Sequence, residues 1–489
     1  MQAYRFKFWL SACIFFAFLG ISGSGHAQKI WTLEDCINYA LENNLDINKQ
    51  LLTVEGNKDA LLQSKLTMLP NLNANGTNVW NYGQTVDQYT NTFATTTVRS
   101  NNFYIASDVT LFSGLQKLNT VKQNRITLMA SQYDLDVIKN NISLSVAGYY
   151  LDILFNLELL DVAKEQLRLT TTQVERMQKM VEAGSSARGD LLNIQAQRAT
   201  EQLNVVDAEN RLYISYLSLQ QLIDIPVVKD FKVEKPLLKE VEAPKEKISA
   251  EIIFEHALKT RPEIKSAELR VEIAQKRLGI ARGYVQPTLS LSGSWGTGYS
   301  GVSQQLDSGV PATYDTMQIG FVPVADPTKP PLPVYGVQRI DTYMKKPFWD
   351  QLQDNSNQSV GFYLNIPIFN GWSGRTAISQ AKIQKSQADL DLGIKTRDLR
   401  KIIEQAFADA VSALQKYSAS KDKVNAQEES FKYAQQKFDV GVLTSFDYNN
   451  VKKDLTMAQS QLLQAKYDFI FKTTILDFYM GNPIKIDRQ

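Results

Sequence analysis

The sequence predicts a mainly α-helical, internally duplicated chain whose few β-strands belong to a membrane β-barrel. Three observations carry that prediction. One is a repeat of half the chain, the second is two proline-free runs of nearly 70 residues each, and the third is four strands of alternating polarity. Shifted by 217 positions, Glu34, Ala40, Leu41, Ile47, Leu61, Pro70, Leu72 and Gly76 fall on Glu251, Ala257, Leu258, Ile264, Leu278, Pro287, Leu289 and Gly293. Shifted by 257, Phe112, Gly114, Gln123, Gly184, Asp190, Gln202, Ala208 and Pro226 fall on Phe369, Gly371, Gln380, Gly441, Asp447, Gln459, Ala465 and Pro483. Both halves run helix, strand, strand, long helix, tight turn, helix. The offsets differ by 40, which places a 40-residue insertion between Pro287 and Phe369. A unit of this length exceeds the roughly 20–50 residues of a solenoid repeat and reads as duplication of a whole structural half.

Residues 1–27 read as a secretory signal. Arg5 and Lys7 precede an apolar run through Ile21, and Gly25-His26-Ala27 offers a small-residue cleavage site. A retained N-terminal anchor is the alternative, for which the apolar stretch is short. No Leu-x-Gly-Cys signature precedes the cleavage point and Cys13 lies inside the apolar run, so no lipid anchor is expected. Removing these residues takes away two basic and no acidic side chains, and the net charge of +2 becomes 0. That balance argues against a nucleic-acid partner, which needs a basic excess. One cysteine, Cys36, and one histidine, His256, remain. An intrachain disulfide is impossible, and a zinc site built on Cys and His is nearly excluded. His256 sits mid-helix and reads as structural. No catalytic constellation is present, so neither an enzyme nor a cofactor is expected.

The strand candidates are residues 71–83, 102–112, 288–299 and 359–369. Phe103, Ile105, Val109 and Leu111 share one face against Asp108 and Thr110. Leu289, Leu291, Trp295 and Tyr299 oppose Ser290, Ser292 and Ser294; Val360, Phe362, Leu364, Ile366 and Ile368 share a face. Leu72, Ala74, Trp80 and Tyr82 oppose Asn73, Asn75, Thr77 and Asn81. Each run approaches the roughly 9–11 residues of a tilted membrane strand, apolar side to lipid and polar side inward. No mature segment holds the roughly 18 unbroken apolar residues of a membrane helix, which leaves a closed barrel as the spanning structure. A soluble β-sandwich edge is the alternative reading.

The helical runs from about Gly114 to Val181 and from Gly371 to Phe438 would each extend on the order of 100 Å. Ile403, Phe407, Ala410, Leu414, Tyr417, Val424, Phe431 and Phe438 follow coiled-coil spacing, as do Tyr448, Val451, Leu455, Ala458, Leu462, Ala465, Phe469, Leu476 and Tyr479. Helices at 33–68, 187–223, 249–285 and 443–480 are each half as long. Stacked end to end, two would flank one full-length helix, with Thr32 and Ser249 as matched caps. The segment 227–248 carries Pro236, Pro244 and Lys229, Lys232, Lys235, Lys239, Lys245 and Lys247 and reads as a solvated linker. Transmembrane barrels need about eight strands, and at eight the interior is filled by side chains. Two copies of four strands leave no duct, whereas three give twelve and an open lumen. A homo-oligomeric tube follows.

At this point the residues resemble a known family, the TolC-like outer membrane efflux proteins, over essentially the whole mature chain. Leu69-Pro70-Asn71-Leu72 looks like the family's "LPxL" before the first strand, with Gln286-Pro287-Thr288-Leu289 as a weaker copy. Ile366-Pro367-Ile368-Phe369-Asn370-Gly371-Trp372 is similar to "xPIFxGG", with Trp372 replacing the second Gly, and Val109-Thr110-Leu111-Phe112-Ser113-Gly114 is its first-half copy. Gly441-Val442-Leu443-Thr444-Ser445-Phe446-Asp447 resembles the helical-tip turn "G-x-x-T/S-x-x-D/E", as does Gly184 to Asp190. The resemblance implies a homotrimer. Its α-barrel of long coiled-coil helices lies in the periplasm, and its twelve-stranded barrel sits among outer-membrane lipids. It implies passive export, with an inner-membrane RND or ABC transporter and a periplasmic adaptor (membrane fusion protein) as partners. A soluble periplasmic coiled-coil scaffold is the rival function.

By the same resemblance, Gly184, Ser185, Ser186, Gly441, Val442, Leu443 and Thr444 would meet the adaptor. The other reading of these turns is purely structural, glycines serving helix ends that need positive φ. Asp190 and Asp447 would line the periplasmic constriction, where a carboxylate ring favours cations. Family members often carry a second acid three residues later; Asn193 and Asn450 stand there and make the ring less charged. Leu443 occupies a position that is basic in some members, and Arg188 lies in the first tip. The insertion 300–358, with Pro323, Pro327, Pro330, Pro331 and Pro333, is expected to be extended and irregular and to lie outside the cell. It would cover the pore mouth, touch a surface partner, or be a disordered loop. The expected division is a first repeat at 28–226, the linker, a second repeat at 249–483 and a short tail at 484–489.

Overall fold

The computed structural model describes residues 30–95, 97–226, 231–236 and 249–484. The expected signal at 1–27, most of the linker and all but the first residue of the tail lie outside these residues. The chain divides into two compact units, one of residues 1–57, 126–271 and 387–489, the other of 58–125 and 272–386.

The helices repeat with the offsets of the sequence. In chain order they are α1 (Leu33–Asn43), α2 (Leu45–Leu66), α3 (Gln116–Glu182), α4 (Arg188–Leu222), α5 (Ala250–Thr260), α6 (Pro262–Gly283), α7 (Phe348–Asp354), α8 (Ser373–Asp439) and α9 (Ser445–Tyr479). Shifted by 217, α1 and α2 fall on α5 and α6; shifted by 257, α3 and α4 fall on α8 and α9, end for end. The positive-φ residues repeat too: Gly114 and Gly371, Leu115 and Trp372, Gly184 and Gly441, Asp224 and Gly481 are all partners at 257. Backbone turns that few residues tolerate are therefore shared by the two halves.

The single helices expected at 33–68 and 249–285 are each broken in two. The break falls at Asn44 (φ −61°, ψ 131°) and at its repeat partner Arg261 (φ −73°, ψ 131°). In the second half Pro262 forces it, because its ring disfavours helical backbone at the residue before it. In the first half a side chain substitutes: Asn44 Oδ1 accepts from Asp46 N at 2.9 Å, and Asn44 Nδ2 donates to Leu222 O at 3.2 Å. Thr32 caps α1 through a reciprocal bond pair with Asp35, and Ser249 accepts from Ile252 N to cap α5.

In the first unit the largest core forms around Val146, Tyr150, Ile153 and Leu154 of α3, with Cys36, Ala40, Ile47, Leu219 and Ile223 against them. A second core joins Ala257, Ile264, Leu399 and Ile403, the repeat partners of Ala40, Ile47, Ile142 and Val146. Each fully buried Leu or Ile contributes about 1.5–3 kcal/mol. One stretch of α3 reaches the length and mean hydropathy of a membrane helix, although it holds no 18 unbroken apolar residues. α3 also supplies the six core residues from Val146 to Leu154, so much of its apolarity serves the core. The described part of the linker is docked rather than solvated. Lys232–Val233 pair in parallel with Ile30–Trp31, Phe231 and Val233 are each 7% exposed, and Trp31 lies 5.5 Å from the Phe231 ring. Residues 227–230 and 237–248 lie outside the described residues.

The second unit holds an antiparallel sheet of four strands: β1 (Asn73–Asn81), β2 (Val98–Ser113), β3 (Thr288–Ser300) and β4 (Asn357–Asn365). Its order is β4-β3-β2-β1. β4 ends before Ile366, which therefore lies past the strand instead of in it; Pro367 has no N–H for a ladder. The insertion is not irregular. Thr313–Val322 pairs with Leu332–Ile340, Gln304–Leu306 pairs with Tyr343–Lys345, and α7 follows. Its prolines cluster at 323–331, in the turn, and Pro333 sits in a two-stranded ribbon where each strand has a free edge.

Candidate functional site

Three groups of residues could serve transport, and the sheet is the first. Cross-strand pairs place the expected lipid-facing residues on one side. Ala74, Ile105 and Trp295 lie in one row, Val109, Leu291 and Phe362 in another. A bulge between Thr110 and Phe112 makes Phe112, not Leu111, the partner of Leu289, with Leu364 beyond it. Leu111 is thus the extra residue of the bulge, and the simple alternation of β2 ends there. On this face Phe103, Ile105, Trp295, Val360, Phe362 and Leu364 are exposed, Val360 at 79%. The opposite face carries Ser290, Ser292, Ser294, Tyr104 and Asp108; Ser294 and Ser359 hydroxyls meet at 2.7 Å. Strands β1 and β4 each have one edge without a pairing strand among the described residues.

The second group is the pair of tips in the first unit. Gly184 (φ 75°) and Gly441 (φ 78°) end α3 and α8 in left-handed turns. Ser185 closes the first with a bond to Met180 O at 2.9 Å. The two turns then differ. Thr444 is the N-cap of α9; its hydroxyl accepts from Asp447 N at 3.2 Å and donates to Asp447 Oδ2 at 2.7 Å. Ala187 caps α4 with no side-chain bond, and Asp190 N donates to Ala187 O at 3.1 Å. Gly184, Ser185, Gly441, Val442 and Thr444 are exposed, while Ser186 and Leu443 are half-buried. Asp447, Asn193 and Asn450 are exposed and Asp190 is half-buried. Among the described residues no hydrogen bond or ion pair joins Asp190 to Asp447. Behind the tips, Arg176 pairs with Asp439, and Gln173 donates to the Tyr448 hydroxyl. The Phe438 ring stacks on Tyr448 at 4.6 Å between centroids.

The third group was not anticipated from sequence. Lys452 of α9 is 2% exposed. Its ammonium donates to Gln166 O at 3.1 Å and to Thr170 Oγ1, and lies 4.0 Å from Glu201 Oε1. Burial pushes the lysine below its ordinary range and the Glu201 charge opposes that. Glu201 in turn accepts from Gln197 at 2.7 Å and Asn204 at 3.2 Å. Three helices therefore meet on a buried charge. The available signal was a lysine beside Val451 on an apolar seam. The Thr444 cap of α9 was likewise readable as a hydroxyl at a helix start. His256 lies exposed on α5, with no part in any of the three groups.

A family model described as outer membrane efflux protein matches residues 36–224 and 335–482. The chain is 23% identical over 323 residues to the alkaline protease secretion protein AprF of Pseudomonas aeruginosa, covering 66% of this chain and 57% of that protein. It is 20% identical over 335 residues to the outer membrane protein TolC of Escherichia coli, covering 66% and 58%. The matches thus span a little over half the length of these relatives. Among solved structures, CusC shares the fold with a TM-score of 0.72 at 18% identity, over 92% of each chain.

Proposed function

This chain belongs to the outer membrane efflux protein family, and from that premise we propose that three copies form a passive exit duct fed by an inner-membrane pump through a periplasmic adaptor. As a family member it is an outer-membrane protein with its helical portion in the periplasm. The observation that carries the trimer is the four-stranded sheet. It has an uncovered apolar face, a polar face and two open edges. Open edges do not survive in a bilayer, so β1 of one copy pairs with β4 of the next until the ring closes. Twelve strands leave a lumen lined by the serine face.

The duct needs no chemistry of its own. Work comes from the pump, an RND or ABC transporter, and the duct supplies a water path. The tips at Gly184–Ser186 and Gly441–Thr444 face the adaptor, and Asp190, Asn193, Asp447 and Asn450 ring the periplasmic end. The test is purification in mild detergent with mass measured by light scattering, followed by planar bilayer recording. Three copies per particle and ion conduction are expected. A non-conducting single chain, or recovery in the soluble periplasmic fraction, refutes the duct and favours a scaffold.

A further inference from the structure

The loop between β1 and β2 folds onto the serine side of the sheet, not away from it. Two contacts establish the side. On β3, Ser290, Ser292, Ser294, Gly296, Gly298 and Ser300 alternate with Leu289, Leu291 and Trp295; the pairing is regular with β4 up to Gly296 and with β2 from Ser290 to Ser300. A Cβ built on Gly298 would lie 1.8 Å from the Tyr89 hydroxyl oxygen and 2.2 Å from Cζ. The phenol therefore occupies the space a side chain at 298 would fill. Independently, Ser300 Oγ donates to Asp87 Oδ2 at 2.6 Å.

The loop is built to stay there. Thr85–Val86 pair with Phe93–Ala94. Asp87, 2% exposed, also accepts from Thr90 N and Thr90 Oγ1 at 2.8 Å each and from Tyr89 N at 3.2 Å. Its own N–H donates to Thr92 O at 2.9 Å. Ser300, 0% exposed, is fixed from its other side. Gln351 Oε1 accepts its N–H at 2.9 Å, and Gln351 Nε2 donates to its carbonyl at 3.1 Å. The Tyr89 hydroxyl donates to Asn101 O at 3.4 Å. Every buried oxygen of the Asp87 carboxylate is thus occupied, which a loop merely lying on a surface does not need.

We propose that residues 85–94 form an inward-folded restriction at the outer end of the barrel, with the Tyr89 ring setting the width of the water path there. The inference rests on the duct reading, because only in a closed barrel is the serine face a lumen. In that barrel three copies of the loop project into one channel. The solutes it discriminates are bulky polar molecules arriving from outside; ions and water pass. Pore width set by a packed ring, not by fixed charge, is the physical basis, since the one carboxylate is buried and paired.

The test reads access from the cell surface, so that the periplasmic tips do not limit it. Ser292→Cys places a thiol on the serine face, and Cys36 is 0% exposed and inert. Intact cells are treated with membrane-impermeant maleimides of graded size, with trimer recovery checked for each variant. In the Ser292→Cys background only small reagents should react. Adding Tyr89→Ala should raise labelling by a bulky polyethylene glycol maleimide on the order of tenfold. Ser300→Ala, which removes the donor to Asp87, should do the same, whereas Tyr89→Phe should match the parent because the ring is kept. If bulky and small reagents label the parent and Tyr89→Ala alike, the restriction is overturned and the duct stands. If the smallest reagent fails to reach the introduced thiol even in the Tyr89→Ala variant, the serine face is no water path and the duct reading itself falls.

Discussion

Replacing Lys452 and Glu201 together by apolar residues should be harmless or stabilising, whereas removing either one alone should be costly. At 4.0 Å and an effective dielectric constant near 20, the attraction between Lys452 and Glu201 is about 4 kcal/mol. Burying the two ions costs several kcal/mol each, which offsets or exceeds that attraction. Replacing both at once, Lys452→Met with Glu201→Met, keeps the volume and removes both charges, and stability should stay level or rise by about 1–4 kcal/mol, whereas Lys452→Met alone strands the Glu201 carboxylate, 7% exposed, beside Gln197 and Asn204. Glu201→Gln leaves a buried ammonium with only Gln166 O and Thr170 Oγ1. Those two neutral acceptors soften the loss, which should fall near the lower end of the roughly 3–5 kcal/mol seen for broken buried pairs. The pH dependence has a definite sign. Burial, opposed by Glu201, holds the folded lysine below its ordinary value. The unfolded chain therefore binds the proton more tightly, and stability rises with pH between the folded and unfolded values. Removing Glu201 deepens the depression, so the Glu201→Gln deficit should shrink as pH is raised toward the ordinary lysine range. Guanidinium unfolding followed by circular dichroism, at one protein concentration and in one detergent, measures all of this. A double variant, Lys452→Met with Glu201→Met, less stable than Glu201→Gln would refute the reasoning.

Four further outcomes are expected. Leu364→Asp puts a carboxylate on the uncovered face of β4 and should lower trimer yield on extraction, by less than the roughly 2–4 kcal/mol that an Arg or Lys costs at mid-bilayer; unchanged yield means that face does not meet lipid. Thr444→Ala removes the α9 cap and should cost about 1 kcal/mol, read as faster amide exchange over the first turn of α9, with no such change at α4 for Ala187→Gly. Replacing Asp190 and Asp447 by Asn should weaken cation preference in bilayer recordings, and an unaltered reversal potential removes them from the constriction. Burial pushes the Asp87 carboxyl up, but hydrogen bonds from Ser300, Thr90 and Tyr89 outweigh it and hold it below its ordinary range. The clasp is therefore fully formed above the ordinary carboxylate range and is lost only as pH falls through the lower folded value; exchange protection of residues 85–94, corrected for intrinsic rates, should stay flat down to about pH 4.5.

Much of this architecture is legible in the sequence because duplication writes each constraint twice. A lone Gly184 says little; Gly184 and Gly441 at one offset mark a required left-handed turn. Strand polarity is legible for a related reason, since one apolar and one polar face of the sheet impose a period of two. The misreadings fall where one residue type serves different ends. Asn44 breaks a helix by side-chain bonds that leave no periodic trace, while its partner Arg261 is broken by a visible proline. The prolines of the insertion suggested disorder, yet they gather in the turn of a ribbon whose strands carry Tyr314, Ile319, Phe321 and Val337. Lys452 looked like any surface lysine, because nothing local announces that Gln166, Thr170 and Glu201 converge on it.

The two halves agree wherever the helices and sheet must be framed and differ where a duct would need asymmetry. The cores around Val146 and Ile403 are copies, and so are the turns at Gly114 and Gly371. The tips are not. α9 begins on a side-chain cap that pins Asp447 to Thr444, whereas α4 begins at Ala187 with none. A carboxylate held by its own cap is fixed in direction, and one without it is free to turn with its helix. The buried Lys452 is likewise one-sided: its partner by the 257 offset is Gln195 on α4, a position with no charge to bury. Divergence has also loaded the outer end of the sheet unequally, with a short clasped loop in one half and a long ribbon in the other. In a ring of three such chains each functional end therefore repeats threefold but not sixfold.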